Sequence, residues 1–153
     1  MANTYTQINI HAIFSVKGRE NIITNNFRED LFKYISGILK NQKQFSLAVN
    51  GYKDHVHIFF ELNPTFALSD IIGIVKANSS KWINNNKFVP GHFEWQSGYG
   101  AFSYSKSQRN SVINYIKNQE KHHKEKSFKE EYLGLLKKFD IQFKDEYVFE
   151  FYD

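Results

Sequence analysis

The sequence predicts an α+β fold: a βαββαβ antiparallel sheet with helices on one face, extended by two more helices towards the C-terminus. Three observations carry that prediction. Apolar residues alternate at period two in several short segments, as half-buried strands require. Between and after those segments apolar residues recur at three- and four-residue spacing, as amphipathic helices require. With two prolines and no Ser/Gly-rich or low-complexity stretch, the 153 residues show no internal linker before the polar run from Lys117 to Lys129, and they are too few for two well-filled cores, so residues 1–153 read as one domain.

Residues 5–16 alternate, with Ile8, Ile10, Ala12, Phe14 and Val16 on one side and Gln7, Asn9, His11 and Ile13 on the other, which gives the first strand. From 26 to 43 the residues Phe27, Leu31, Tyr34, Ile35, Ile38 and Leu39 form a helical stripe. Residues 45–50 and 56–62 read as two strands of a hairpin joined by Asn50-Gly51-Tyr52-Lys53-Asp54. A second helix is expected over 69–84, opened by Ser69 and carrying Ile71, Ile72, Ile74, Val75 and Trp82. The aromatic segment 93–105, interrupted by Gly98 and Gly100, reads as a final strand or strand pair with a bend. Ser105 with Gln108 three residues on makes a capping box for a third helix over 108–121. A last amphipathic helix is expected over 128–139, before a short extended tail. The order β-α-β-β-α-β is the split βαβ, ferredoxin-like or RRM-like arrangement.

Composition narrows the function without choosing it. Fifteen Phe and nine Tyr fill a core of this size and leave rings free to stack on bases. A net charge of +4 and a pI near 9.1 favour a polyanionic partner. The absence of cysteine excludes a disulfide framework and a thiolate metal site. The N-terminus lacks a basic region followed by an apolar run, and no uninterrupted apolar stretch reaches about 18 residues, so the expectation is a cytoplasmic protein that neither is exported nor spans a membrane.

The chemistry is concentrated in two places. His55 and His57 lie two apart in a predicted strand, so both imidazoles leave the same face of the sheet, while Val56, Ile58, Phe60 and Leu62 leave the other. The apolar face should pack on the helices, which puts the histidine pair on the uncovered side beside Phe59 and Glu61. Two imidazoles converging from one strand can clamp a divalent metal, although a lone His-x-His is a weak motif. In the third helix Tyr115 and Gln119 are one turn apart and share a stripe that His122 continues, with Val112, Ile113 and Ile116 on the buried side. A tyrosine hydroxyl is a poor nucleophile at its ordinary pKa near 10, so Tyr115 serves chemistry only if its helix docks on the histidine face; Gln119 could then add a carbonyl oxygen as a third ligand.

These segments resemble, over almost the whole chain, the single-tyrosine HUH transposases, the IS200-like TnpA-type enzymes of insertion sequences that move as single strands. Residues Gly51 to His57 resemble the stretch holding that family's His-hydrophobic-His metal pair. Trp95 to Ser103 resembles the aromatic and glycine segment leading to the catalytic helix, and Tyr115 to Gln119 resembles the nucleophile with its third ligand. The segment from Lys76 to Trp82, with Ser79 and Ser80, and the tail beginning at Phe128 are similar as well. The resemblance implies Tyr115 as the catalytic nucleophile, His55, His57 and Gln119 as ligands of Mg²⁺ or Mn²⁺, and a covalent 5′-phosphotyrosine intermediate. It further implies single-stranded DNA with a hairpin at transposon ends as the partner, and a homodimer in which one subunit's tyrosine helix completes the other's site. The connector from Ser103 to Arg109 would let that helix serve either site. His11, Lys76 and Arg109 are candidate DNA contacts, with His11 also readable as an ordinary surface histidine.

Two rival readings remain at this level. One is a non-catalytic single-stranded nucleic-acid-binding module of the same topology, using aromatic residues of the sheet as a stacking platform. The other is an HUH replication initiator or relaxase, which usually carries extra domains for which 153 residues leave no room.

Overall fold

The computed structural model describes residues 3–18 and 22–151. Strand β1 (Asn9–Ser15) is followed by α1 (Arg28–Asn41), β2 (Phe45–Gly51), β3 (His55–Glu61), α2 (Leu68–Asn86), β4 (Gly100–Tyr104), α3 (Arg109–Lys117), α4 (Gln119–His122) and α5 (Phe128–Lys138). All strand pairs are antiparallel and the sheet order is β2-β3-β1-β4, the ferredoxin-like order that the sequence pattern predicts. Among the described residues no helix is long and apolar enough to cross a membrane.

Helices α1 and α2 cover one face. Ile10, Ala12 and Phe14 from β1 and Val56, Ile58 and Phe60 from β3 join Leu31, Ile35, Leu39, Ile71, Ile72 and Val75 in the principal core. The hairpin between β2 and β3 closes on Gly51, where a Cβ would lie 2.2 Å from the His55 carbonyl oxygen, so only glycine lets the backbone pass that close. Tyr52 N donates to that same oxygen at 3.1 Å, which sets the start of β3 and the direction of His55.

The second face is not open, contrary to the pattern of β3 read alone. Helices α3, α4 and α5 return over it, and every residue of β1 is buried. Val112 and Ile116 pack on Ala48 and Phe59, while Phe139, just past α5, sits against Phe102 and Tyr104 with centroid distances of 4.8 and 5.4 Å. The physical reason lies in the later helices, whose own apolar stripes have nowhere else to be buried. Ser127 caps α5 by accepting from Glu130 N at 3.1 Å, a contact of about 1 kcal/mol.

Other differences concern boundaries. Of the aromatic stretch 93–105 only Gly100–Tyr104 is strand; Trp95 makes an isolated bridge to Val16 and its ring lies between Phe14 and Phe93, with Nε1 donating to Ser79 Oγ at 3.0 Å. Gly98, at φ +84, turns the chain between the two. Ser69 is inside the first turn of α2 rather than capping it, because the N-cap position is Ala67. The Ser105/Gln108 capping box is present but opens a 3₁₀ turn, Lys106–Gln108, that leads into α3. The expected helix over 108–121 breaks at Asn118, where Asn50 Nδ2 donates to the Ile116 and Lys117 carbonyls at 2.8 and 3.1 Å and ends α3. After a 3₁₀ turn, Asp145–Tyr147, the tail is docked: Phe149 packs on Tyr132, and Gln96 clasps the Glu150 backbone with two hydrogen bonds of 2.8 Å.

Candidate metal and nucleophile site

Strand β3 carries His55 and His57 to the second face, where both are fully buried. Each ring has its Nδ1 tied to a fixed partner: His55 Nδ1 to Asp54 Oδ1 at 2.7 Å, and His57 Nδ1 to His11 Nε2 at 2.7 Å. Both therefore turn Nε2 inward, to the space beneath α3, α4 and α5. A carboxylate that fixes the far nitrogen of an imidazole is the usual support of a metal-ligating histidine.

The helices supply the rest. The break at Asn118 turns Gln119 fully inward, and its Oε1 lies 3.1 Å from His55 Nε2 and 2.9 Å from His123 Nε2. From α5, Glu131 lies between the rings. Its Oε1 is 3.2 Å from His57 Nε2, 3.1 Å from His123 Nε2 and 3.4 Å from His55 Nε2. Its Oε2 accepts hydrogen bonds from the Tyr115 hydroxyl and, at 3.0 Å, from Gln119 Nε2. One carboxylate thus touches the histidine centre through one oxygen and the tyrosine through the other. Tyr115 is half-buried, and a cavity of about 280 Å³ lined by Tyr104, Gln108, Ser111, Leu135 and Lys138 opens onto it.

Electrostatics follow from that packing. Burial pulls the His55 ring towards its neutral form, but hydrogen bonds and charge from Asp54 and Glu131 outweigh it and push the pKa up to about 9. At His57 and His11 burial wins and both are held below the usual imidazole range. Glu131 is opposed by burial, yet the charge of His57 and hydrogen bonds from His123, His55 and His57 hold it well below the usual carboxylate range. The Tyr115 hydroxyl is pushed up, first by burial and then by the Glu131 charge. Without a further positive charge in the site, the phenol keeps its proton.

Of the residues singled out in the sequence, His55, His57, Tyr115 and Gln119 come together in one place. His11 does not lie at the surface: it is fully buried, stacked on His57 at 5.0 Å, and can touch no nucleic-acid groove, because the later helices seal its face of the sheet. Lys76 donates to the Gln96 and Gly98 carbonyls at 2.7 and 2.9 Å and so props the loop before β4. Arg109 donates to Asn9 Oδ1 at 2.9 Å and Glu61 Oε2 at 3.0 Å, pinning the start of α3 to the sheet. His122 reaches only the outer edge of the site, 3.4 Å from Glu131 Oε2, since the break at Asn118 passes the inward position to His123. Sequence reasoning missed His123 and Glu131. Glu131 had a signal: it sits on the buried stripe of α5 with Phe128 and Tyr132, where an unpaired carboxylate is too costly to persist.

The family described as Transposase IS200 like matches residues 4–119. Among solved structures, a proposed transposase from Deinococcus radiodurans R1 is similar with a TM-score of 0.59 at 19% identity, covering 78% of this chain and 96% of that one. A REP-associated tyrosine transposase bound to a REP hairpin is similar with a TM-score of 0.58 at 12% identity, covering 80% of this chain and 73% of that one. At these identities the likeness speaks for the fold. None of the curated protein sequences matches.

Proposed function

Because the chain belongs to the IS200-like transposase family, which matches it over residues 4–119, we propose that it is a DNA transposase that cuts and rejoins single-stranded DNA through Tyr115, beside a divalent ion held by His55, His57 and Gln119. The observation that carries this reading is the meeting of the Tyr115 hydroxyl and the His55/His57 pair on the two oxygens of Glu131, although they come from a strand and a helix far apart in sequence. The donor set fits a metal, since the rings of both histidines are fixed through Nδ1 and present Nε2 to one space.

The chain's own part in the reaction follows from these contacts. Glu131 Oε2 holds the Tyr115 proton, and Tyr115 lines the cavity between α3 and α5 where a phosphodiester could approach it. As the Tyr115 hydroxyl oxygen bonds to the scissile phosphorus, its proton passes to Oε2, which releases it to solvent; as the P–O3′ bond breaks, the departing 3′-oxygen, in line on the far side of phosphorus, takes a proton from solvent. The products are a 5′-phosphotyrosine on the chain and a free 3′-hydroxyl on the DNA. One ester replaces another, so neither ATP nor a redox partner enters, and a second 3′-hydroxyl runs the step backwards at a new junction. A bound Mg²⁺ or Mn²⁺ would polarise the phosphate and offset the negative charge that keeps Tyr115 protonated.

A hairpin-bearing single strand is the proposed substrate, supported by the fold-level neighbour bound to a REP hairpin. A homodimer is part of the same reading. Within one chain Tyr115 already faces its own His57, with ring centroids 6.0 Å apart, so a dimer has the choice of using the helix in cis or in trans. The rival reading, a stacking platform on the sheet, loses its surface, because Phe59 and Phe102 are buried beneath α3 and α5.

The test is to incubate the protein with a hairpin-bearing single strand and Mg²⁺ or Mn²⁺ and to look for a DNA adduct that survives denaturation. Wild type should form it and Tyr115→Phe should not. An undiminished adduct from Tyr115→Phe, or none from wild type, ends the proposal.

A further inference from the structure

We propose that His123 and Glu131 belong to the ligand set of the metal centre, so that the site selects a first-row transition ion such as Mn²⁺ over Mg²⁺ and the ion pins α5 beside the nucleophile. The inference rests on the metal reading of the His55/His57 pair and extends it to two residues from other elements.

Geometry is the first ground. One ligand atom from each of His55, His57, His123 and Glu131 lies within 4.8 Å of all the others. The separations from Glu131 Oε1 to the three Nε2 atoms are 3.1, 3.2 and 3.4 Å. For bonds of about 2.1 Å the edge of a coordination polyhedron is roughly 3.0 Å in an octahedron and roughly 3.4 Å in a tetrahedron, so the Glu131–imidazole spacings, hydrogen-bond distances in the metal-free protein, also match the edges of one coordination shell.

Ring orientation is the second ground. His123 repeats what His55 and His57 do: its Nδ1 donates to the Lys126 carbonyl at 2.8 Å, leaving Nε2 for the centre. Three imidazoles, each tied back through Nδ1 to a different partner, thus converge with the same nitrogen turned towards Glu131 Oε1. Burial is the third. The side chains of His123 and Glu131 are 3% and 1% exposed, and a carboxylate so far from water needs concentrated positive charge beside it.

The donor chemistry then decides which ion. Mg²⁺ asks for an oxygen shell and keeps several waters, whereas three nitrogens and one carboxylate suit Mn²⁺ and its heavier neighbours. With Oε1 on the ion, Oε2 still faces Tyr115 and Gln119, so Glu131 is at once a ligand and a positioning residue for the nucleophile.

The experiment titrates the full-length, chelator-treated protein with Mn²⁺ and with Mg²⁺ by calorimetry, without DNA, for wild type, Glu131→Gln, His123→Ala and His57→Ala. Near-UV circular dichroism serves as the check on folding. Wild type should bind Mn²⁺ more than about tenfold tighter than Mg²⁺. Glu131→Gln and His123→Ala should each weaken Mn²⁺ by about tenfold or more while keeping the native spectrum, and His57→Ala should abolish binding. If Glu131→Gln fails to fold, His123→Ala decides. Wild-type Mn²⁺ affinity in the folded variants at 123 and 131, with binding lost in His57→Ala, overturns this inference and leaves the proposed function standing. Binding that survives His57→Ala as well removes the metal reading itself.

Discussion

Gly100→Ala should push α5 off the histidine centre without touching any residue of that centre. A Cβ at Gly100 would lie 2.5 Å from the Tyr132 hydroxyl oxygen, 2.7 Å from Cε1 and 2.9 Å from Cζ. Tyr132 is 5% exposed and wedged between Phe128 and Phe149, so its ring has no free rotamer to swing into. To restore an ordinary 3.4 Å contact the ring must retreat by about 0.9 Å, and Glu131, the preceding residue of α5, moves with it. A shift of that size carries the 3.1–3.4 Å separations between Glu131 and the imidazoles to roughly 4 Å. Overpacking of this kind costs about 1–3 kcal/mol, which for a chain this long lowers Tm by roughly 2–12 °C. Calorimetric melting and Mn²⁺ titration of the same sample read both effects, and Tyr132→Leu in the Gly100→Ala background should recover much of each. Unchanged Tm and unchanged Mn²⁺ affinity in Gly100→Ala would refute the idea that this close approach seats α5 on the site.

Other perturbations act on single contacts. Asn50→Ala removes the amide that ends α3 at the Ile116 and Lys117 carbonyls and should destabilise the fold by about 1–2 kcal/mol in denaturant melts, with a loss of adduct formation as Gln119 swings from its place. His11→Phe keeps an aromatic ring but removes the partner of His57 Nδ1, and should weaken metal binding by about tenfold to a hundredfold in calorimetry, with Tm also lowered because the larger ring is fully buried and the His57 nitrogen is left unpaired. Metal binding should release a proton below pH 9, because the His55 ring, protonated up to about pH 9 in the metal-free protein, must give up its proton to ligate. Affinity should therefore climb from pH 6 to pH 9 and level off above, and calorimetry in buffers of different ionisation enthalpy counts the proton released; a flat profile would contradict that assignment.

Much of the fold and the same-face placement of His55 and His57 were legible because they depend on local periods, whereas Tyr115 and Gln119 were singled out through the family resemblance. Alternation in residues 5–16 and 56–62 and the three- and four-residue recurrence around Leu31, Ile71, Val112 and Leu136 reflect which side of a strand or helix meets water, and that is written residue by residue. The same rule placed His55 and His57 on one face. What the pattern of β3 could not tell is what covers that face, since strand alternation records an apolar side and a polar side, not the presence of α3, α4 and α5. Hence His11, polar by type and alternating with apolar neighbours, reads as a surface residue yet lies in the innermost layer, hydrogen-bonded to His57.

Local patterning along the chain carries the βαββαβ order, the same-face histidine pair and the helical stripe with Tyr115, and the ordered motifs carry the family. The closing of the histidine face, the helix break at Asn118 that turns Gln119 and His123 both inward, and the bridge from the histidines to the tyrosine through Glu131 emerge from packing across the fold. The reason is physical: secondary structure answers to neighbours three or four residues away, whereas Glu131 meets His57 across 74 positions of chain, where only the packing of a whole helix on a sheet sets the distance.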